Sequence, residues 1–121
     1  MAATAIAEQP VNGAYTLETA TQFTTLTETA GDATNMNKVT MSGRKMLLLV
    51  HNSDGSNAEW LTVYASDDAH GRATNITQQS IPAAGWAAFI FEPHGWEQTL
   101  GGRDILFDPE SADVKFIAIP L

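Results

Sequence analysis

The sequence predicts an all-β protein: a single antiparallel β-sandwich or jelly-roll-like domain with an extended N-terminal arm. Strand-like segments recur roughly every 8 to 15 residues in the second two thirds of the chain. Gly, Pro, Asn or Asp residues separate these segments, as expected for turns. No segment shows the apolar period of about 3.6 residues that indicates an amphipathic helix. At 121 residues, the chain has the length of one domain.

The first part of the chain is predicted to be an arm. From Met1 to about Met41 the sequence is rich in Thr and Ala and poor in large hydrophobic residues. Threonine favours extended backbone but buries little surface. We therefore expect Met1–Thr16 to be disordered in isolation or ordered by a neighbouring subunit. Leu17–Met41 is predicted to supply one or two edge strands, so the sandwich domain is placed at 17–121.

The strands become clearer from Lys45 onward. Met46–His51 is a continuous apolar run, and it ends in the turn sequence Asn52–Asn57, which contains Asp-Gly. Glu59–Ala65 alternates and predicts a strand with two distinct faces. One face carries Trp60, Thr62 and Tyr64, and the other carries Leu61, Val63 and Ala65.

Four more strands are predicted in the second half of the chain. Thr74–Ile81 is polar, and a Pro-Ala-Ala-Gly turn separates it from the apolar strand Trp86–Phe91. A short strand, Arg103–Phe107, follows a Gly-Gly turn, and Asp108-Pro109 is predicted to end it. Asp113–Ile119 is the last strand.

Composition excludes several classes of partner and chemistry. The net charge is −8, from 14 acidic and 6 basic residues, so a phosphate backbone would be repelled and direct nucleic-acid binding is not expected. Cysteine is absent, which excludes disulfides and thiolate chemistry. No apolar run reaches the roughly 18 residues of a membrane span. Met1–Ala7 has no basic side chain, so it does not resemble a signal peptide, and we expect synthesis in the cytoplasm.

The sequence predicts no catalytic residues, no cofactor and no metal site. The turn Asn52–Asn57 has oxygen ligands at alternate positions, but Val63 occupies the twelfth position, where a calcium loop needs a glutamate. The three histidines lack a nearby histidine at metal-binding spacing. No Gly-x-Ser-x-Gly motif is present. An ion at Asp67-Asp68 is left open. The protein is therefore expected to bind a partner and not to be an enzyme.

The three tryptophans suggest contact surfaces. Trp60 and Trp86 lie in predicted strands, so we favour them as core or inter-subunit residues. Trp96, in the loop that contains His94, is expected at a surface or interface. The predicted interface residues are Val11, Tyr15, Leu17, His94 and Trp96. A carbohydrate-binding module, in which all three tryptophans would stack on sugars, is the alternative function.

A series of motifs in fixed order gives a family resemblance. The motifs are Gly31–Asn35, Ser42-Gly43-Arg44, Met46–Asn52, the turn and strand Ile81–Phe91 with Glu92-Pro93, Arg103–Phe107 and Val114–Leu121. In this order the segment from about Phe23 to Leu121 resembles the head decoration, or capsid cement, proteins of tailed bacteriophages. The chain departs from the common pattern at Pro120 and in its long arm.

The resemblance implies a β-sandwich on the outer surface of an icosahedral head. Such proteins often form homotrimers at local three-fold positions and clamp neighbouring major capsid proteins. The implied partner is therefore the major capsid protein, the implied location is the virion, and no catalytic residue carries over. An extended arm suits pairing with a neighbour's sheet edge. Another virion structural protein, such as a tail-tube or fibre-base protein, is a further alternative.

Overall fold

The computed structural model describes residues 3–11, 24–42, 45–65, 75–92, 96 and 104–121. These residues form strands and turns without a helix, which confirms the all-β prediction. In particular, no helix in this part of the chain could cross a membrane. The described strands are β1 (Thr4–Ala5), β2 (Thr29–Ala30), β3 (Asn37–Thr40), β4 (Met46–Asn52), β5 (Glu59–Val63), β6 (Ile76–Ile81), β7 (Trp86–Phe91), β8 (Asp104–Pro109) and β9 (Val114–Pro120).

The strands form two sheets with nested pairing. One sheet has the order β1-β3-β8-β5-β6 and the other the order β2-β9-β4-β7. Strand β5 pairs with β6, β4 with β7, β3 with β8, and β2 with β9, all antiparallel. A long antiparallel ribbon folded over two sheets in this way is a jelly roll. Periodicity alone left the choice between jelly-roll and immunoglobulin-like strand order open.

The core lies between the two sheets. In β4, Met46, Leu48 and Val50 point inward and are buried, while the residues between them point outward. Phe107 of the five-stranded sheet meets Phe116 of the four-stranded sheet, with ring centroids 5.8 Å apart. Fully burying a large apolar side chain contributes about 1.5–3 kcal/mol, so these contacts hold the two layers together.

One predicted turn lies elsewhere. The turn expected at Asp108-Pro109 occurs at residues 110–113 instead, because β8 continues beside β5. Pro109 pairs with Leu61, and the Glu110 N–H donates to the Trp60 carbonyl at 3.0 Å. On its other side, β8 pairs with β3 only as far as Phe107. The missing N–H of Pro109 therefore interrupts no hydrogen bonds between β8 and β3.

The described part of the N-terminal arm is extended, as predicted, but its own chain holds it in place. Strand β1 runs parallel to β3, and the Ile6 N–H donates to the Lys38 carbonyl at 2.7 Å. The Ile6 side chain is 2 % exposed and belongs to the core. This corrects the expectation that the segment needs a neighbouring subunit for order. The domain boundary after Thr16 lies outside the described residues.

The N-terminal pairing also changes the position of β3. Two edge strands at most were expected in Leu17–Met41, and β2 is indeed an edge strand. Strand β3, however, lies between β1 and β8. It is an interior strand because residues 4 and 5 cover its outer side.

Candidate binding surface

Exposed apolar side chains concentrate on one strand. The large hydrophobic residues exposed in the described part of the chain are Val11, Trp86, Phe89, Ile90 and Leu121. Three of them lie on β7, where Trp86 is 54 %, Phe89 46 % and Ile90 53 % exposed. Strand β7 is the last strand of its sheet, so one side of its backbone has no partner among the described strands. We call Trp86–Phe91, with this open side, the β7 edge.

The β7 edge is regular along its whole length. It pairs with β4 without a register shift, from Trp86 opposite His51 to Phe91 opposite Met46. Because side chains alternate along a strand, Phe89 and Phe91 point toward the space between the sheets. Trp86 and Ile90 point to the outer face. The edge therefore presents aromatic or aliphatic side chains on both of its faces.

An apolar cavity opens beside the β7 edge. It has a volume of about 380 Å³ and lies between the sheets, where the outermost strands β6 and β7 face each other. This volume is within the range of about 300–1,000 Å³ found for ligand pockets. Gln79 is the only polar side chain among the described lining residues. The lining also includes Leu61, Val63, Ile76, Ala87 and Phe89.

Trp96 lies at one end of this surface. Its ring packs edge-on against Phe91, with centroids 5.3 Å apart, and against Phe89 at 6.2 Å. The residue is partly buried against the core. Of the other predicted interface residues, Val11 is exposed, whereas Tyr15, Leu17 and His94 lie outside the described residues.

The exposed positions of β7 were not predicted from the sequence. Trp86 was favoured as a core or inter-subunit residue; its side chain is more than half exposed on the outer face, which excludes a place in the core, and an inter-subunit position stays a prediction. The run Trp-Ala-Ala-Phe-Ile-Phe is uniformly apolar, which is typical of a strand buried on both faces. The available signal was the lack of any alternating polar residue, but that signal does not distinguish an interior strand from an edge.

His51 and Glu28 form a polar contact at the other end of the β7 edge. The Nδ1 atom of His51 lies 2.9 Å from Glu28 Oε2, and the imidazole stacks on the Trp86 ring. Lys115 of β9 is the partner of His51 on the opposite side. His51 is thus a hydrogen-bonded residue near the end of an apolar strand.

A cluster of carboxylates lies at the start of β5 and in the turns beside it. One oxygen each from Asp54, Glu59 and Asp113 lie within 4.8 Å of one another. Asp54 accepts hydrogen bonds from the N–H groups of Ser56 and Asn57, and these bonds lower the pKa of Asp54. This arrangement confirms a turn at Asn52–Asn57. The Asp67-Asp68 pair lies outside the described residues.

The tryptophans do not form a single platform. Trp60 belongs to β5, where it alternates with the core residue Leu61, so it faces outward from the five-stranded sheet. Trp86 faces outward from the four-stranded sheet. Since the outer faces of two packed sheets lie on opposite sides of a sandwich, these two rings cannot stack on one sugar.

No protein-family model matches the sequence, no curated protein matches it, and no solved structure matches the fold.

Proposed function

We propose that this protein is a bacteriophage head decoration protein that binds the outside of the icosahedral capsid and stabilises contacts between major capsid proteins. The observation that carries this proposal is the exposed apolar β7 edge on a domain with a net charge of −8. Charge over most of a surface favours solubility, whereas a concentrated apolar patch is typical of a docking site for another protein.

The resemblance to decoration proteins supports the same proposal. Three of its motif segments become β4, β7 and β9, and these strands lie side by side in the four-stranded sheet. That sheet carries the β7 edge. Three of the segments on which the resemblance rests therefore also build the sheet that carries the candidate surface.

The fold and the charge narrow the kind of partner. Jelly rolls are frequent among viral capsid domains and also among lectins, so the fold alone does not decide the function. Strong negative charge disfavours contact with packaged DNA. The separated positions of Trp60 and Trp86 remove the main argument for a sugar-binding platform. A protein shell is the partner that fits these features.

Binding of this kind would stabilise a capsid by mass action. A protein that binds the assembled lattice better than free subunits shifts the equilibrium toward the lattice. Each bound copy adds to that shift, and binding as a homotrimer at local three-fold positions would make the contacts multivalent. This role requires binding and no catalytic step.

Quantitative mass spectrometry of purified virions tests the proposal. The measured quantity is the number of copies of this protein for each copy of the major capsid protein. A ratio near one supports decoration of the whole head. A ratio of a few per cent would assign the protein to the tail tube or fibre base, and absence from the virion would reject a structural role in the particle.

A further inference from the structure

We propose that the β7 edge accepts an extended segment of a partner polypeptide as an additional strand, and that side chains of this segment enter the cavity between β6 and β7. This inference identifies a strand-binding site for a protein partner. Where the partner is the capsid, it rests on the proposed function.

The four outermost strands differ in how well they could receive another strand. Strands β1 and β2 have two residues each. Strand β6 has a register shift against β5 between Leu61 and Val63, and Gln78 has a φ of 47°. Short length and β-bulges are two devices by which proteins prevent pairing at sheet edges. Among the described edges, β7 alone combines six residues with an unbroken register.

The composition of β7 also favours pairing. Charged residues and prolines are further devices by which proteins block strand addition. Trp86–Phe91 contains neither. Its large apolar side chains Trp86, Phe89 and Ile90 are exposed instead of covered. An added strand would therefore gain backbone hydrogen bonds and bury apolar surface at the same time.

The cavity indicates which side chains the partner segment would carry. Side chains of an added strand alternate between the two faces of the sheet, so every second one would point toward the mouth of the cavity. Ala87 and Phe89 of β7 line this space, and Gln79 is the only polar side chain among its described lining residues. Burying a charge there would cost desolvation without an ion partner. The inward side chains of the segment should be aliphatic or aromatic.

Charge favours a different polypeptide over a second copy of this chain. Pairing of two β7 edges would bring the Glu92 and Glu28 carboxylates of both copies together, in addition to a net charge of −8 on each copy. Glu92 follows β7 directly, and Glu28 lies near Trp86 through its contact with His51. Lys45, at 3.9 Å from Glu92, offsets part of this charge. The complementary occupant is thus an extended segment that is apolar at alternate positions and basic at its ends.

A synthetic peptide of alternating valine and threonine between pairs of lysines is a suitable probe. The control peptide has the same sequence with alternate backbone amides N-methylated, which prevents strand pairing. We expect the first peptide to slow hydrogen exchange of the amides in residues 86–91 and to change tryptophan fluorescence. The N-methylated peptide should do neither. Equal binding of both peptides would overturn the strand-addition model.

Variants locate the site on the protein. Ile90→Lys places a charge on the exposed outer face of β7, and we expect binding to weaken by about tenfold or more. Thr77→Lys places the same charge on the exposed edge of β6 and should leave the affinity unchanged. If both variants weakened peptide binding equally, the overall charge of the protein would explain the effect, and the proposed site would be rejected.

A cavity-filling variant tests the second half of the proposal. Ala87→Leu adds apolar volume at the cavity, so the thermal midpoint should hold or rise while peptide affinity falls. Unchanged affinity in a folded Ala87→Leu protein would reject insertion of side chains into the cavity.

Sedimentation of the free protein tests whether the occupant of the β7 edge is a different polypeptide or a second copy of this chain. If self-association rises with concentration and is lost in Ile90→Lys, a second copy occupies the edge and our choice of partner is wrong. Virion mass spectrometry does not depend on the peptide. If the protein binds the peptide but is absent from virions, the strand-binding site is supported and the capsid role is rejected.

Discussion

The ring of Trp86 lies flat against the ring of His51, with centroids 4.2 Å apart and 9° between the planes. The same imidazole is hydrogen-bonded to the Glu28 carboxylate at 2.9 Å. A large aromatic side chain that is more than half exposed is thereby held in one orientation. The β7 edge thus presents an ordered ring at one end, where Glu28 and His51 determine its position.

Removal of the stacked imidazole should loosen Trp86. For His51→Ala we expect a loss of about 0.5–1.5 kcal/mol in the free energy of unfolding, the range for a stacked ring pair. The near-UV circular dichroism of the tryptophans should also decrease. Glu28→Gln is the control: it keeps both rings and should cost less than about 1 kcal/mol, since the contact of Glu28 with His51 is partly exposed. An unchanged near-UV spectrum in His51→Ala would contradict a fixed Trp86.

Truncation of Ile6 tests the role of the N-terminal segment in the core. Because this side chain is buried among core residues, Ile6→Ala should reduce the free energy of unfolding by about 2–5 kcal/mol. Val11→Ala, at an exposed position of the same segment, should stay within about 0.5 kcal/mol. Urea denaturation followed by circular dichroism measures both. Equal, small effects would mean that the N-terminal segment does not belong to the sandwich.

Gly31 lies very close to the backbone of Ser111, in the connection from β8 to β9, and of Val114, the first residue of β9. A Cβ atom at this position would lie 2.6 Å from the Ser111 carbonyl oxygen and 2.7 Å from that of Val114. We therefore expect Gly31→Ala to cost about 1–3 kcal/mol, as in other overpacked sites. Gly55→Ala is the matched control, because no atom lies within 4 Å of the added Cβ. Thermal denaturation of the two variants should differ clearly, and equal midpoints would contradict the close approach.

Asp32 should make stability depend on pH in the acid range. The Thr4 hydroxyl donates to its carboxylate at 2.6 Å, and the N–H of Asn35 also donates, so the pKa of Asp32 falls below the usual 3.8. A carboxylate with a lowered pKa in the folded state stabilises the protein above the unfolded-state pKa. That contribution is lost as pH falls through the folded-state pKa.

Asp32→Asn should therefore be less stable than the parent protein at neutral pH, and the difference should shrink as pH falls below 3.8. Urea midpoints measured from neutral pH to acid show the trend. Glu92→Gln, at an exposed surface ion pair, serves as the control and should give a small difference. A constant difference between Asp32→Asn and the parent at all pH values would exclude this linkage.

Much of the secondary structure follows from local pattern. The bounds of β7 agree with the prediction, and β4, β5, β6 and β9 begin and end within two residues of the predicted positions. Alternation also placed Leu61 and Val63 on one face of β5, and the structure shows that this face lies on the core side. These features are predictable because the side-chain period of a strand and the conformations of turn residues depend on neighbours in sequence.

The candidate surface could not be predicted in the same way. The apolar run Trp86–Phe91 has one pattern whether it lies inside a sheet or at its edge, and only its pairing with β4 on one side makes it an edge. Trp96 was expected at a surface or interface, and its ring lies beside Phe89 and Phe91, partly buried against the core. The interface itself remains a prediction.

By itself, the sequence determined that this protein is an all-β domain, with acidic charge, turns at Gly, Pro, Asn and Asp, and most strand positions. The tertiary structure alone decided the nested order of the strands, the burial of Ile6 and the exposure of β7. The physical reason is distance along the chain. Pairs such as Thr29 with Phe116 join residues far apart in sequence, and no local pattern encodes which strand becomes the neighbour of which.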